Sequence, residues 1–481
     1  MKALLEGYQG GDIAIESSTG DLSYDLLFEK VEKLSLWLQE QGATSVCVYA
    51  QNSVDWIIID LACQQSDIIF TPIPLFFSAM QFDSLLSSVQ PNLIFSDSDL
   101  AFKRGSSSHH LSLQSYLPLQ EVQVEFPLAT SKVTYTSGST GSPKGVCLSK
   151  ENQLKVAKSL VQCIGLSKPR HLCLLPFPTL LENIAGIYSP LIAGGTVIVL
   201  NDNERGFSGS RLINPQQLFS SISQHQPDSL ILVPELLQAL IFGVNNGWKP
   251  PLSLKFIAVG GSKISSSLIA KARECQLPVY QGYGLSESGS VVSLCTPHND
   301  LENSAGTLLP HLTASIKDNE LIVKGNTFLG YLEDKRSWYQ TEVCTGDIAT
   351  IEDRAIYING RQKNILINSF GRNISPEWLE SEMLSTGGFS QVVVLGDSKP
   401  FCLAIVTPST LNTTHSVIQK TIDQVNNSLP DYAQIKAFIS LNEPMSFAQG
   451  LVTANGRPIR AAIMKKFNRQ INTIYLNTTA A

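Results

Sequence analysis

The hydrophobic pattern of this chain switches repeatedly between helical and strand periods, and that alternation restricts it to an α/β architecture. Residues 23–40 place Leu26, Leu27, Val31, Leu34 and Leu38 at helical spacing and stop at Gly42. Residues 44–50 then read as a strand, 54–64 as a helix, and 67–73 and 93–96 as strands. Strands at 229–233, 254–259 and 279–281 continue the series. The expected core is therefore a set of stacked, mostly parallel sheets covered by helices. After about residue 300 the texture changes: 320–324, 347–351 and 355–359 read as short strands separated by Gly and Asp, as in a small antiparallel or barrel-like unit. A boundary near Gly360-Arg361 divides the chain into 1–360 and 361–481. Beyond it, strands at 365–367, 391–395, 402–406 and 437–441 are interspersed with helices at 376–384, 415–428 and 459–471, a compact α+β pattern.

Bulk properties exclude several classes. A chain of 481 residues exceeds one ordinary domain, and 43% hydrophobic with 16% charged residues suits a large packed core. The nine cysteines stand singly with no C-x-x-C pair, so neither a zinc site nor a disulfide framework is expected, and a reducing, cytoplasmic setting is. The N-terminus turns polar too soon for a signal peptide. Residues 180–200 are interrupted by Glu182, Asn183, Pro190 and Gly194-Gly195, and read as a buried helix, a turn and a strand, not a membrane span. Net charge is −6, which argues against a nucleic-acid partner. From Gln362 onward there are 10 Lys+Arg against 7 Asp+Glu, a mild basic excess that suits an anionic partner as well as ordinary surface variation.

One loop carries the strongest chemical signal. Tyr135-Thr-Ser-Gly-Ser-Thr-Gly-Ser-Pro-Lys-Gly145 follows a short strand and combines glycines, hydroxyl side chains and a lysine. Glycines let the backbone turn N–H groups toward an anion, Ser and Thr add short donors, and Lys144 adds a mobile point charge. The spacing is not that of the common nucleotide loop, because Pro143 precedes the lysine and Gly145 follows it. Further along, Gln281-Gly-Tyr-Gly-Leu-Ser-Glu287 follows a strand and ends on a carboxylate. There Tyr283 offers a flat ring, Gly284 close backbone approach, Ser286 a hydroxyl and Glu287 a hard oxygen ligand for Mg2+. Gly260-Gly261-Ser262 ends another strand. Thr345-Gly-Asp347, Gly360-Arg361-Gln-Lys363, Ser369-Phe-Gly-Arg-Asn-Ile-Ser-Pro-Glu377 and Leu451-Val-Thr-Ala-Asn-Gly-Arg457 complete the set.

These segments, in this order, resemble the adenylate-forming superfamily of acyl-CoA synthetases, luciferases and peptide-synthetase adenylation domains. The resemblance covers about residues 10–470 and implies a site. Thr136, Ser137, Gly138, Ser139, Thr140, Gly141 and Lys144 would hold the β- and γ-phosphates of ATP. Tyr283 would stack on adenine, with Gly284 close by, Ser286 would contact the α-phosphate, and Glu287 would bind Mg2+. Gly261 and Ser262 would run along the adenine and the acyl pocket. The Asp347 carboxylate would chelate the ribose hydroxyls, since it accepts two hydrogen bonds side by side, and Arg361 would add a second ribose contact. Lys363 would be the hinge about which a mobile C-terminal domain rotates between two half-reactions, and Gly371 would face a pantetheine arm.

The chain departs from the family at two places. Arg457 stands where the family has a lysine that bridges the substrate carboxylate and the α-phosphate side; it keeps the charge but is bulkier. Thr179, in Leu175-Pro-Phe-Pro-Thr179, stands where many relatives carry a His or aromatic residue beside the acyl site, and Glu182 and Asn183 follow either as wall or as helix start. The walls at 183–192 and 288–294 hold no lysine or arginine, which suits a fatty or other apolar acid.

The resemblance thus implies ATP-dependent formation of acyl-AMP followed by transfer to coenzyme A or to the phosphopantetheine of an acyl carrier protein. Two rivals stand beside it. One is a nucleotide-binding protein that has lost the chemistry through Arg457. The other is an enzyme that uses acyl-AMP without a thiol, for example to close a β-lactone.

Overall fold

A computed structural model describes Tyr8 and residues 11–118, 124–136, 144–209, 211–410, 413–453 and 456–478. Its first helix, Tyr24–Glu40, starts where Ser23 accepts a hydrogen bond from the Leu26 N–H and buries Leu27, Val31, Leu34 and Leu38, the helical stripe. Val54–Gln65 is apolar almost all round and buries Trp56 to Gln64, so it lies inside the molecule rather than on it. Helices Ala79–Val89 and Lys150–Ile164 add to the covering layer.

Two large sheets result. In the 13-stranded sheet, Ile13–Ser17, Thr196–Val199, Arg170–Leu172, Ser229–Leu232, Phe256–Val259 and Val279–Tyr283 pair in parallel. In the eight-stranded sheet the parallel core is Thr130–Thr136, Ile69–Pro72, Ser45–Tyr49 and Leu93–Ser96. The largest buried cluster includes residues of both sheets and of the helices between them, such as Val48, Ile57, Val156, Ile187 and Val199. The parallel, helix-covered sheets expected from the sequence are therefore present.

The strands after residue 300 are antiparallel but close no barrel. Ser293–Leu294, Thr307–Leu308, Ala355–Arg361, Glu342–Glu352, Glu320–Lys324 and Thr313–Lys317 extend the 13-stranded sheet beyond Val279–Tyr283. The reason is pairing: the edge of Val279–Tyr283 presents unpaired backbone groups, and the antiparallel strands that follow satisfy them in turn. Residues 180–200 differ in a second way. Glu182–Tyr188 winds as a π-helix and continues as the α-helical turn Ser189–Ile192 before the strand. Ser189 N–H accordingly reaches back to Ile184 O, five residues earlier.

Past Arg361, the three-stranded sheet Phe389–Leu395, Cys402–Pro408 and Ile435–Ser440 is flanked by helices Pro376–Ser385, His415–Asn426 and Arg460–Thr478. Among the described residues no helix is long and apolar enough to cross a membrane.

Candidate active site

The phosphate-type loop connects a β-hairpin. Thr130–Thr136 pairs antiparallel with Lys144–Ser149, and Thr136 stands opposite Lys144 in the register. Ser137, Gly138, Ser139, Thr140 and Gly141 lie outside the described residues. Lys144 is exposed, with its ammonium 4.9 Å from the centroid of the Tyr331 ring.

Glu287 belongs to a short 3-10 turn, Ser286–Ser288, just after the strand that carries Tyr283. The turn folds back over Gly284, where a β-carbon would come within 1.7 Å of the Ser290 carbonyl, so only glycine fits. Ser290 itself sits at φ +110°, a strained value for a residue with a side chain. Glu287 Oε1 accepts a hydrogen bond of 2.7 Å from the Tyr331 hydroxyl. No hydrogen bond to Oε2 is found among the described residues, so a hard carboxylate oxygen is left for a cation, which fits Mg2+.

Asp347 is buried on Glu342–Glu352, and its two oxygens have different partners. Oδ2 accepts from the Tyr283 hydroxyl at 2.6 Å, and Oδ1 lies 2.8 Å from Arg361 Nε. Burial raises the Asp347 pKa, opposed by the Arg361 charge and the Tyr283 hydrogen bond. Burial and the Asp347 charge push the Tyr283 phenol well above its ordinary range, so it stays a donor. Gly261, at φ +86°, ends the turn after Phe256–Val259. Val233 packs near Gly261 and Leu181 near Gly260, an apolar flank. Ser262 is exposed.

Arg457 enters this cleft from the C-terminal part. Its guanidinium donates to the Gly261 carbonyl at 2.8 Å, and its N–H donates to Thr453 Oγ1. The side chain keeps access to solvent at the cleft mouth. Enclosure by the surrounding protein and the nearby Arg361 charge lower its pKa, with Asp347 and Glu287 opposing. The neighbouring Arg460 is instead tied to Glu380 and Glu377. Glu287, Tyr283, Asp347, Arg361, Gly261 and Arg457 are thus connected through direct contacts or mutual charge, and Lys144 joins them through Tyr331. Lys363 lies apart in an exposed turn in which the Asn364 and Ile365 N–H groups donate to Arg361 O. Gly371, at φ +74°, is exposed with open space where a β-carbon would be.

Sequence reasoning missed Tyr331 and Lys132 and left Glu182 open between wall and helix start. Tyr331 joins the phosphate-type lysine to the proposed metal carboxylate, yet a tyrosine in an apolar stretch gives no signal that separates it from core. Lys132, on the strand leading into the loop, is fully buried and lies 3.0 Å from buried Asp60. Its ammonium also contacts Asn183 Oδ1 and the Tyr188 hydroxyl on the π-helix. Glu182 is buried too, bonded to His171 Nε2 at 3.2 Å and to the Leu175 N–H. Gly186 permits that contact, since a β-carbon there would lie 2.5 Å from Glu182 Oε1. Glu182 and Asn183 therefore brace the wall from behind.

Known proteins share the family and the fold. The family model described as AMP-binding enzyme matches residues 5–332, and that of the AMP-binding enzyme C-terminal domain matches 363–479. A 2-succinylbenzoate–CoA ligase of Staphylococcus epidermidis is 26% identical over 412 residues, covering 81% of this chain and 82% of its own. In fold, the chain resembles an anthranilate CoA ligase in complex with anthranoyl-AMP, at 14% identity and a TM-score of 0.79 over 95% and 94% of the two chains. It also resembles the Bacillus subtilis o-succinylbenzoate CoA synthetase in complex with ATP and magnesium ion, at 20% identity and a TM-score of 0.74 over 96% and 97%.

Proposed function

Because the chain belongs to the AMP-binding enzyme family, we propose that it joins a carboxylic acid to coenzyme A in two ATP-driven steps. In the first, a carboxylate oxygen attacks the α-phosphorus of ATP, the bond to the bridging oxygen breaks, and pyrophosphate leaves. In the second, the thiol sulfur attacks the acyl carbon, AMP leaves, and the thiol proton goes to solvent. The single observation that carries this reading is Arg457, which reaches Gly261 O beside Asp347 and Glu287.

Two anions must meet in the first step, and their repulsion at 4 Å is about 4 kcal/mol at an effective dielectric of about 20. Arg457 opposes that repulsion from one side, and Lys144 holds the departing phosphates from the other. Glu287 would hold a magnesium ion, which would supply charge neutralisation to the phosphates. Tyr283 stacks on adenine. Asp347, now bonded to Arg361 and to the Tyr283 hydroxyl, exchanges those bonds for the ribose hydroxyls, and Arg361 adds a second ribose contact.

Residues 1–360 and 361–481 act as two units about Lys363. Rotation withdraws Arg457 after the adenylate forms and brings Gly371 to the thiol path. Coenzyme A is the preferred acceptor, since the named relatives are CoA ligases.

For the acid we favour an apolar monocarboxylate. Lys132, which contacts Asn183 and Tyr188 of the π-helical wall, is neutralised by Asp60 and so offers no free charge to a second carboxylate. Leu181 and Val233 flank the glycine turn. The relatives named as succinylbenzoate ligases do not single out fatty acids, so aryl and alkyl acids stand equal. Pyrophosphate exchange into ATP across straight-chain, aryl and dicarboxylic acids tests the reading. Exchange should be fastest with apolar monocarboxylates. No acid-dependent exchange would remove the enzyme assignment, and a preference for dicarboxylates would remove the substrate class.

A further inference from the structure

We propose that Tyr331 is a positioning residue that holds the phosphate-gripping lysine and the metal-binding carboxylate apart while keeping both in place. The inference rests on the roles proposed above for Lys144 and Glu287. Those residues come from different sheets. Lys144 begins a strand of the eight-stranded sheet, whereas Glu287 follows the central strand Val279–Tyr283 of the 13-stranded one.

Tyr331 meets both. Its hydroxyl donates to Glu287 Oε1 at 2.7 Å, and its ring lies 4.9 Å from the Lys144 ammonium. The backbone around it is tied to the same two places. Gly330 and Tyr331 pair with Cys147 and Val146, Leu332 N–H donates to Gly145 O at 2.8 Å, and Phe328 N–H donates to Glu287 O at 2.7 Å. The residue is further pinned by Tyr331 N–H to Ser337 Oγ and by Trp338 Nε1–H to Tyr331 O.

The physical need is specific. A lysine and a carboxylate sharing a small cleft attract each other, and an ion pair between them would neutralise the two charges that phosphate and metal require. The phenol satisfies each differently: a donor for the carboxylate, a π-face for the ammonium. No Lys144–Glu287 ion pair occurs among the described residues, and Oε2 of Glu287 remains available.

The test measures Mn2+ binding by electron paramagnetic resonance in the presence of a non-hydrolysable ATP analogue, alongside binding of the metal-free nucleotide. Tyr331→Phe keeps the ring and removes the donor. It should weaken Mn2+ about tenfold, the size of a lost hydrogen bond to a charged acceptor, and leave metal-free nucleotide binding unchanged. Tyr331→Leu should weaken both. Phe328→Leu loosens the ring contact at 4.9 Å without touching the hydroxyl and should keep wild-type Mn2+ affinity. Wild-type Mn2+ affinity in Tyr331→Phe, or equal losses in Tyr331→Phe and Phe328→Leu, would overturn the proposal. Glu287→Gln serves as reference: if it binds Mn2+ like wild type, the underlying metal assignment fails, whereas its loss beside an unaffected Tyr331→Phe refutes Tyr331 alone.

Discussion

Asp60→Leu should destabilise this protein more than Asp60→Leu combined with Lys132→Met, although the double variant loses more hydrogen bonds. In the wild type the Lys132 ammonium is 3.0 Å and 3.1 Å from the two Asp60 oxygens, and both side chains are buried. Asp60 Oδ2 also accepts from Asn183 Nδ2 and from the Tyr188 hydroxyl, each at 2.8 Å. Removing the carboxylate alone strands a buried ammonium, a loss of about 3–5 kcal/mol, and drives its already lowered pKa further down. Replacing the lysine as well takes that charge away. What remains is the Asn183 amide with no partner in this network; the Tyr188 hydroxyl proton loses its acceptor in both variants alike, since Gln64 Nε2 donates to that oxygen at 2.8 Å. One orphaned amide costs about 1–3 kcal/mol. The double variant should therefore be more stable than the single one by about 2 kcal/mol. Denaturant midpoints followed by tryptophan fluorescence compare the two with one probe, and Trp56 lies on the same buried helix as Asp60. A double variant less stable than Asp60→Leu would refute the view that the stranded charge dominates.

Three further outcomes are expected. Arg457→Ala should lower acyl-AMP formation by about 100-fold or more, the loss typical of a missing charge stabiliser, yet spare thioester synthesis from supplied acyl-AMP; Arg457→Lys should retain or raise activity, and normal adenylation by Arg457→Ala would reduce the residue to a surface charge. Lys363→Pro should leave acyl-AMP formation standing while thioester formation collapses, because proline fixes a torsion that rotation needs; half-reaction assays with equal losses would count against the hinge. His311, held by Ser159 Oγ at 2.7 Å, has its pKa lowered from 6.5 to about 4 by burial and by Lys155. A depressed histidine gives stability that is present above pH 6.5 and lost as pH falls toward 4, so melting temperatures across that window should flatten in His311→Gln.

Much of this protein is legible along the chain. Hydrophobic period and caps suffice for Tyr24–Glu40 and its neighbours, because a helix that buries one stripe must repeat it at helical spacing. Glycine-bearing loops are legible for a similar local reason: at Gly284 the backbone passes so close to Ser290 that no side chain fits. Asp347, Arg361 and Glu287 stand in such short segments, whose residue order alone suggests an anion and a cation to hold.

Other features depend on distance in sequence. Tyr331 becomes part of the site only because the hairpin from Lys144 pairs with Gly330–Tyr331 and lays the phenol against Glu287, 44 residues away. Lys132 reads as one residue of a strand until the fold buries it against Asp60, 72 residues earlier. The late strands read as a separate unit, but the open edge of Val279–Tyr283 recruited them, since unpaired backbone groups attract whichever strands can reach. Sequence alone determined most local elements and singled out the residues proposed for phosphate, ribose and metal. Tertiary structure decided which charges face one another and which are neutralised, because Coulombic pairing and desolvation depend on distance and burial in space, not on position along the chain.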